Sequence, residues 1–214
     1  MNGKQIVTTL DLVLHWIMRL AVVNGLWFLF SLRGLLIGGI FPATAAVLGL
    51  ARKWLMGQEE VKLWKTFKQI YRQEFVIANT IGWILTIFGG LLYLNYKVIA
   101  GSGGEVLFIV PFAFYLLLFF YTIVALWVFP LMVHYKTGWR QYLKNALIIG
   151  VTKLHYTLAI AVVVFAVLYY SLEYPGMIPF FTISLMATGS MWLSMLVFRQ
   201  LDQKESSVYY SNCA

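Results

Sequence analysis

The chain has 214 residues, 61% of them hydrophobic and only 11% charged, with a formal net charge of +8. Soluble domains run nearer half apolar and a quarter charged, and the mean hydropathy of +0.80 leaves more apolar surface than an aqueous fold of this size can bury. An ordinary water-soluble domain is excluded, and the solvent for most of the chain is lipid.

A membrane crossing needs about 20 mostly apolar residues. Stretches of that kind predict an all-α, polytopic membrane bundle of about six spans, at about 12–32, 35–51, 76–96, 106–133, 154–172 and 177–198. One integral membrane domain covers 1–214, with a polar, frayed tail at 199–214. The N-terminal run is interrupted by His15 and Arg19 and reads as a retained first span, not a cleaved signal. Arg33-Gly34 divides the first two spans, and small residues then recur at four-residue spacing: Gly34, Gly38, Pro42 and Ala46, with Gly49 beyond. That spacing lets helix backbones approach closely where lipid removes the hydrophobic drive between them. These five residues are the expected helix-packing seam of a transmembrane hairpin on which the other spans pack.

Twelve of the sixteen Lys and Arg residues fall in 52–75, 134–153 and the tail. Cations beside apolar spans mark the cytoplasmic side, so both termini and both basic segments are expected inside a cell membrane. The connections near 33, 97–105 and 173–176 are then expected on one outer face. The cations read as topology and lipid contact, with no nucleic acid partner. Residues 59–75 predict a basic amphipathic helix, with Leu63, Trp64 and Phe67 on one side and Lys62, Lys65, Lys68 and Arg72 on another. Glu59 and Glu60 sit in its first turn, and Gly57 separates it from the second span. Residues 137–147 repeat the design with Arg140 and Lys144. Two such helices are expected to lie in the membrane plane on the cytoplasmic side.

Arg19 is the one full charge well inside a predicted span, one helical turn from His15. Intramembrane ions are costly and point to function, but a guanidinium two turns deep also snorkels to headgroups, and that anchoring role is preferred. Asn24 and Asn79 are positioned to cross-link spans through their amides. His15, Arg19, Asn24 and Asn79 together are the candidate intramembrane polar site. Ser184, Thr188, Ser190 and Ser194 give the sixth span a hydroxyl face, read either as packing or as a polar path. The sequence holds no HExxH, GxSxG or phosphate-binding loop, and its single cysteine, Cys213, makes no pair. No catalytic residue, metal ligand or cofactor is therefore expected.

Several blocks carry a resemblance: Asn24-Gly-Leu-Trp-Phe-Leu-Phe-Ser-Leu, the Gly-rich break, Pro42-Ala-Thr-Ala-Ala, Trp64 with Phe67, Phe129-Pro130-Leu131, and Gln141-Tyr-Leu-Lys-Asn-Ala-Leu. The chain resembles the YesL family of small bacterial integral membrane proteins. Members of that family are often encoded beside carbohydrate-uptake ABC transporters in Gram-positive bacteria. The resemblance implies a non-enzymatic accessory or scaffold role beside ABC transporter subunits, and it supplies no catalytic residues. The alternative is a small secondary transporter or channel that could assemble as a homo-oligomer.

Overall fold

A computed structural model describes residues 3–58, 61–101 and 109–212, with side chains over 10–58, 61–101 and 109–204. Among the described residues there are eight helices and no strand: α1 (Gly3–Arg33), α2 (Ile40–Leu55), α3 (Leu63–Gly101), α4 (Ile109–His134), α5 (Trp139–Thr152), α6 (Leu154–Glu173), α7 (Met177–Phe180) and α8 (Thr182–Asn212). Four of them are long and apolar enough to cross a membrane: α1 from Leu10, α3, α4 and α6.

The core is built around α2. Ala43, Ala45, Ala46, Leu50 and Ala51 are wholly buried, and α1, α3, α4 and α8 all pack on this one helix. Short side chains let four backbones close in on it, the arrangement that makes up for the absent hydrophobic drive in lipid. Pro42 lies in its first turn, where a missing amide costs nothing because that amide has no intrahelical acceptor. At the other end Gly57 adopts φ +80°. Its amide donates to the Trp54 carbonyl at 2.9 Å, and that of Gln58 donates to the Lys53 carbonyl at 3.0 Å. This is the glycine-ended helix stop that the separating role of Gly57 anticipates.

The structure changes several expected boundaries. The second helix does not begin at 35. Residues 34–39 form a turn, and α2 has only 16 residues, about 24 Å. In that turn the left-handed residues are Leu35 (φ 54°) and Leu36 (φ 61°), while Gly34 and Gly39 provide closeness. A Cβ on Gly39 would lie 2.4 Å from the Ser31 carbonyl oxygen, and one on Gly34 would lie 2.4 Å from the Gly39 Cα. Gly38 sits in the same turn, where a Cβ would meet only an ordinary contact at 3.5 Å, so it is not at a helix crossing. The close interhelical approaches lie elsewhere. Gly49 faces Ile70 of α3, and Gly82 of α3 receives the ring of Phe41, which a Cβ there would strike at 2.2 Å.

Residues 63–75 do not form a separate helix before the third span. They are the first third of α3, a continuous helix of 39 residues. Between Arg72 and Val76 stand only Gln73, Glu74 and Phe75, and with no glycine or proline the helix propagates at one hydrogen bond per residue. Glu59 and Glu60 lie outside the described residues, as do 102–108, so the expected 97–105 turn is seen only to Gly101. The segment expected at 137–147 is α5, which extends to Thr152 and meets α6 at Lys153. The last span is interrupted at Phe181, leaving the single turn α7 before α8. The tail is helical to Asn212.

The α1–α2 turn also lies lower along α3 than three coplanar outer connections would have it. Asn79 Nδ2 donates to the Gly38 carbonyl at 3.1 Å, and Tyr71 Oη donates to the Phe30 carbonyl at 3.4 Å. Asn79 is 18 residues before Lys97, about 27 Å along the helix. The far part of α3 therefore extends past α2 and pairs with α4, where Tyr121 Oη donates to the Leu85 carbonyl at 3.2 Å and Tyr96 packs on Phe114.

Candidate functional site

The polar residues inside this apolar fold fall into separate groups. The first surrounds the break between α7 and α8. Such a break exposes carbonyls at one helix end and amides at the next. Asn24 of α1, wholly buried, meets both. Its Nδ2 donates to the carbonyls of Ile178 (3.1 Å) and Pro179 (2.6 Å). Its Oδ1 accepts from the amides of Ile183 (3.0 Å) and Ser184 (3.3 Å). An asparagine side chain has two donors and two acceptor positions, and here all four are engaged. Beside it the Ser171 and Thr182 hydroxyls lie 2.7 Å apart, joining α6 to α8.

The second group gathers where α2 and α4 end, beside residues 198–202 of α8. Arg52 Nε donates to His134 Nδ1 at 3.1 Å, and Arg52 Nη1 donates to the Val133 carbonyl at 3.2 Å. The other imidazole nitrogen, Nε2, faces Asp202 Oδ2 at 3.6 Å. Asp202 Oδ1 accepts from Tyr135 Oη at 2.8 Å. The imidazole lies on the ring of Phe198, with centroids 4.6 Å apart and planes inclined by 28°. Arg199 Nη2 donates to the Leu55 carbonyl at 3.2 Å. An Nδ1 that accepts from a guanidinium carries no proton, so the imidazole bridges cation to carboxylate as a neutral ring. Nearby, buried Glu74 of α3 pairs with Lys136, just past α4. Tyr142 fastens the α4–α5 connection: its hydroxyl donates to the Tyr135 carbonyl at 2.8 Å and accepts from the Thr137 amide at 2.9 Å. Every helix that ends here is held by a charged or hydroxyl side chain. This junction is the candidate site.

Alongside it, an open cleft of about 780 Å³ lies between the end of α2 and the start of α3, lined by Lys53, Lys62 and Lys65 with Gln58, Thr66 and Gln69. Lys68 and Arg72 continue along α3, and Arg140 and Lys144 are exposed on α5.

The four residues of the expected intramembrane site are not brought together. Asn24 serves the α7–α8 break. Asn79 holds the α1–α2 turn and also donates to the Phe75 carbonyl at 2.9 Å. The Arg19 guanidinium lies over the Trp16 ring at 5.5 Å, and Asn24, fully engaged, has no acceptor to offer it. His15 is exposed. Among the residues of the packing seam, Gly34 and Gly38 belong to the turn, while Pro42, Ala46 and Gly49 lie buried in α2.

Arg52, His134, Asp202 and Glu74 did not stand out in the sequence. Glu74 had a signal. Phe67, Tyr71, Glu74, Ala78 and Ile81 form one buried stripe of α3, and a carboxylate on a stripe of that period requires a cation. The Arg52–His134–Asp202 bridge joins residues 82 and 68 positions apart, and no local pattern links them.

The helices, their apolar outer faces and the polar locks between them define a polytopic helical protein of the membrane class. The chain belongs to the family described as a protein of unknown function, DUF624, whose match covers residues 20–96. It is 37% identical to the uncharacterized protein YteU of Bacillus subtilis over 189 residues, covering 88% of this chain and 85% of YteU. It is 33% identical to YesV (87% and 89% covered) and 32% identical to YesL (89% and 90% covered), both uncharacterized proteins of the same organism. No solved structure matches.

Proposed function

We propose that the protein is a non-enzymatic, multi-pass component of the bacterial cell membrane, acting as an accessory or scaffold beside a carbohydrate ABC transport system. In this reading α2 and the apolar half of α8 join α1, α3, α4 and α6 to give six membrane-embedded helices. The amphipathic start of α3 and α5 lie at the cytoplasmic interface, and both termini are cytoplasmic.

One observation favours a scaffold over a small transporter: the groups that could line a polar path already have hydrogen-bond partners within the protein. The hydroxyls of Ser184, Thr188, Ser190 and Ser194 each donate to a carbonyl three or four residues earlier, at 2.9, 2.7, 3.2 and 2.8 Å. The amide of Asn24 is spent on the α7–α8 break. The cytoplasmic partner would meet the basic surface formed by Lys53, Lys62 and Lys65 together with the Asp202 junction. The link to sugar uptake rests on the family resemblance.

The test is affinity purification of the full chain from native membranes, set against sugar uptake by the purified protein in liposomes. Recovery of ABC transporter subunits without uptake by the protein alone is the expected result. Uptake by the protein alone would establish the transporter instead. Reporter fusions after Glu205 and within 101–104 check the topology: an external tail would overturn the assignment of sides.

A further inference from the structure

A groove of about 480 Å³ runs between the far parts of α3 and α4 and is bordered by α5. Ile84, Phe88 and Asn95 mark its length on α3, Phe120 stands on α4, and Leu143 and Leu147 form the α5 end. Ile84 to Asn95 is about 16 Å along a helix, so the groove has a cross-section of about 30 Å². A helix of 10–12 Å diameter needs about 80 Å² or more, so a partner helix does not fit within it. A single hydrocarbon chain does.

The α5 end adds charge. At 3.6 residues per turn, Arg140, Leu143, Lys144 and Leu147 fall within an arc of about 100° on one face of α5. Both cations are exposed: Arg140 precedes the groove-lining leucines, and Lys144 stands between Leu143 and Leu147. Trp139, whose ring lies 5.1 Å from the Arg140 guanidinium, adds an interfacial aromatic. The sequence of α5 contains no Asp or Glu. An apolar slot one chain wide, with two cations on a helix that borders it, has the chemistry of a phosphate ester joined to a fatty chain.

We propose that this groove seats one acyl chain of an anionic phospholipid whose headgroup phosphate lies against Arg140 and Lys144, in the leaflet that bathes the α5 end. The proposal needs α3 and α4 to be in the membrane. It does not depend on the partner reading, because the lipid is measured on the purified protein alone.

The experiment is native mass spectrometry of the full chain in detergent, titrated with phosphatidylglycerol or phosphatidylcholine of matched chains. Wild type is expected to hold one phosphatidylglycerol, with phosphatidylcholine about twenty-five-fold weaker. Arg140→Ala and Lys144→Ala should each lower phosphatidylglycerol affinity about five-fold, as expected for one basic residue at an anionic headgroup. Leu147→Trp keeps both cations and fills the slot, so it should abolish the retained lipid while the unfolding temperature holds. Lys97→Ala, at the far end of α3, should change nothing. Equal retention of the two lipids, or undiminished retention in Leu147→Trp, overturns the proposal. Binding of glycerophosphate in place of the lipid with equal affinity would overturn it too, because the chain would then contribute nothing.

Discussion

Replacing Asn24 with alanine removes four hydrogen bonds at once and leaves four main-chain groups without that partner: two carbonyls at the end of α7 and two amides at the start of α8. Interhelical hydrogen bonds in lipid average about 0.6 kcal/mol each, which gives about 2.4 kcal/mol for the set. A buried polar group left without a partner costs about 1–3 kcal/mol, although amides beside a helix end regain part of this by local rearrangement. The expected loss is about 2–4 kcal/mol. For a chain of this length each kcal/mol shifts the unfolding midpoint by about 2–4 °C, so the midpoint should fall by roughly 5–15 °C. The measurement is thermal unfolding of the purified protein in one detergent, followed by tryptophan fluorescence. Asn95→Ala, at an exposed position on α3, is the matched control and should stay within about 1 °C of wild type. Asn24→Asp separates the two halves of the clamp. It still accepts from the amides of Ile183 and Ser184 but sets a carboxylate oxygen against two carbonyls, so it should be at least as destabilising as alanine. If Asn24→Ala unfolds no earlier than Asn95→Ala, the break does not depend on this amide and the reasoning fails.

The turn between α1 and α2 gives a second contrast. Gly39→Ala should sharply reduce the yield of folded protein because its Cβ would overlap the Ser31 backbone, whereas Gly38→Ala has room and should be mild; equal effects would remove the close-approach account. Arg52→Ala removes the group that bridges His134 and the Val133 carbonyl to α2, so trypsin should cut after Arg199 and Lys204 several-fold faster, and an unchanged digestion rate would show that the junction does not hold the start of the tail. Arg19→Lys keeps a cation beside Trp16 but loses the planar fork. It should leave the midpoint within about 2 °C and partner recovery unchanged, and a folded variant that loses its partners would make α1 a functional surface.

The legible features of this protein are the local ones. Hydropathy is a property of a short window, so every predicted apolar stretch has a helix over most of its length, and Gly57 marked a helix end because positive φ is a single-residue requirement. Amphipathicity is local too, yet it misled at 63–75. A basic face with an aromatic stripe fits a helix lying on a membrane, and it equally fits the first third of a long helix whose stripe packs on α1 and α2. What distinguishes the two is whether anything breaks the helix at Arg72–Val76, and nothing in those residues does. Asn24 could be picked out as a span-joining amide because an isolated amide in an apolar run needs partners. Its partners could not be read, because they are main-chain groups freed by a helix break more than 150 residues away. The Arg52–His134–Asp202 bridge was hidden for the same reason, as each member alone looks like an ordinary residue at the end of a span.

The two polar groups hold the same helix at two well-separated points, its first turn and Asp202. Asn24 fixes the first turn of α8 at Ile183 and Ser184, and the Arg52–His134–Asp202 bridge fixes it again at Asp202, about 28 Å further along. Between them α8 packs on α2, half of whose buried residues are alanine or glycine. Small side chains in lipid allow a close approach but specify register weakly, since one small residue slides over another with little change in contact. Charged and amide groups tolerate no such slip, because moving α8 by a single residue, about 1.5 Å, would break bonds at both points together. The register of the bundle is therefore set by polar residues at its ends and its closeness by the small residues between. The far parts of α3 and α4 stand outside this arrangement. Gly82 and Trp83 still hold the Phe41 ring of α2; further along, Tyr121 ties α3 to α4 at the Leu85 carbonyl, beside the groove in which a lipid chain is proposed to lie.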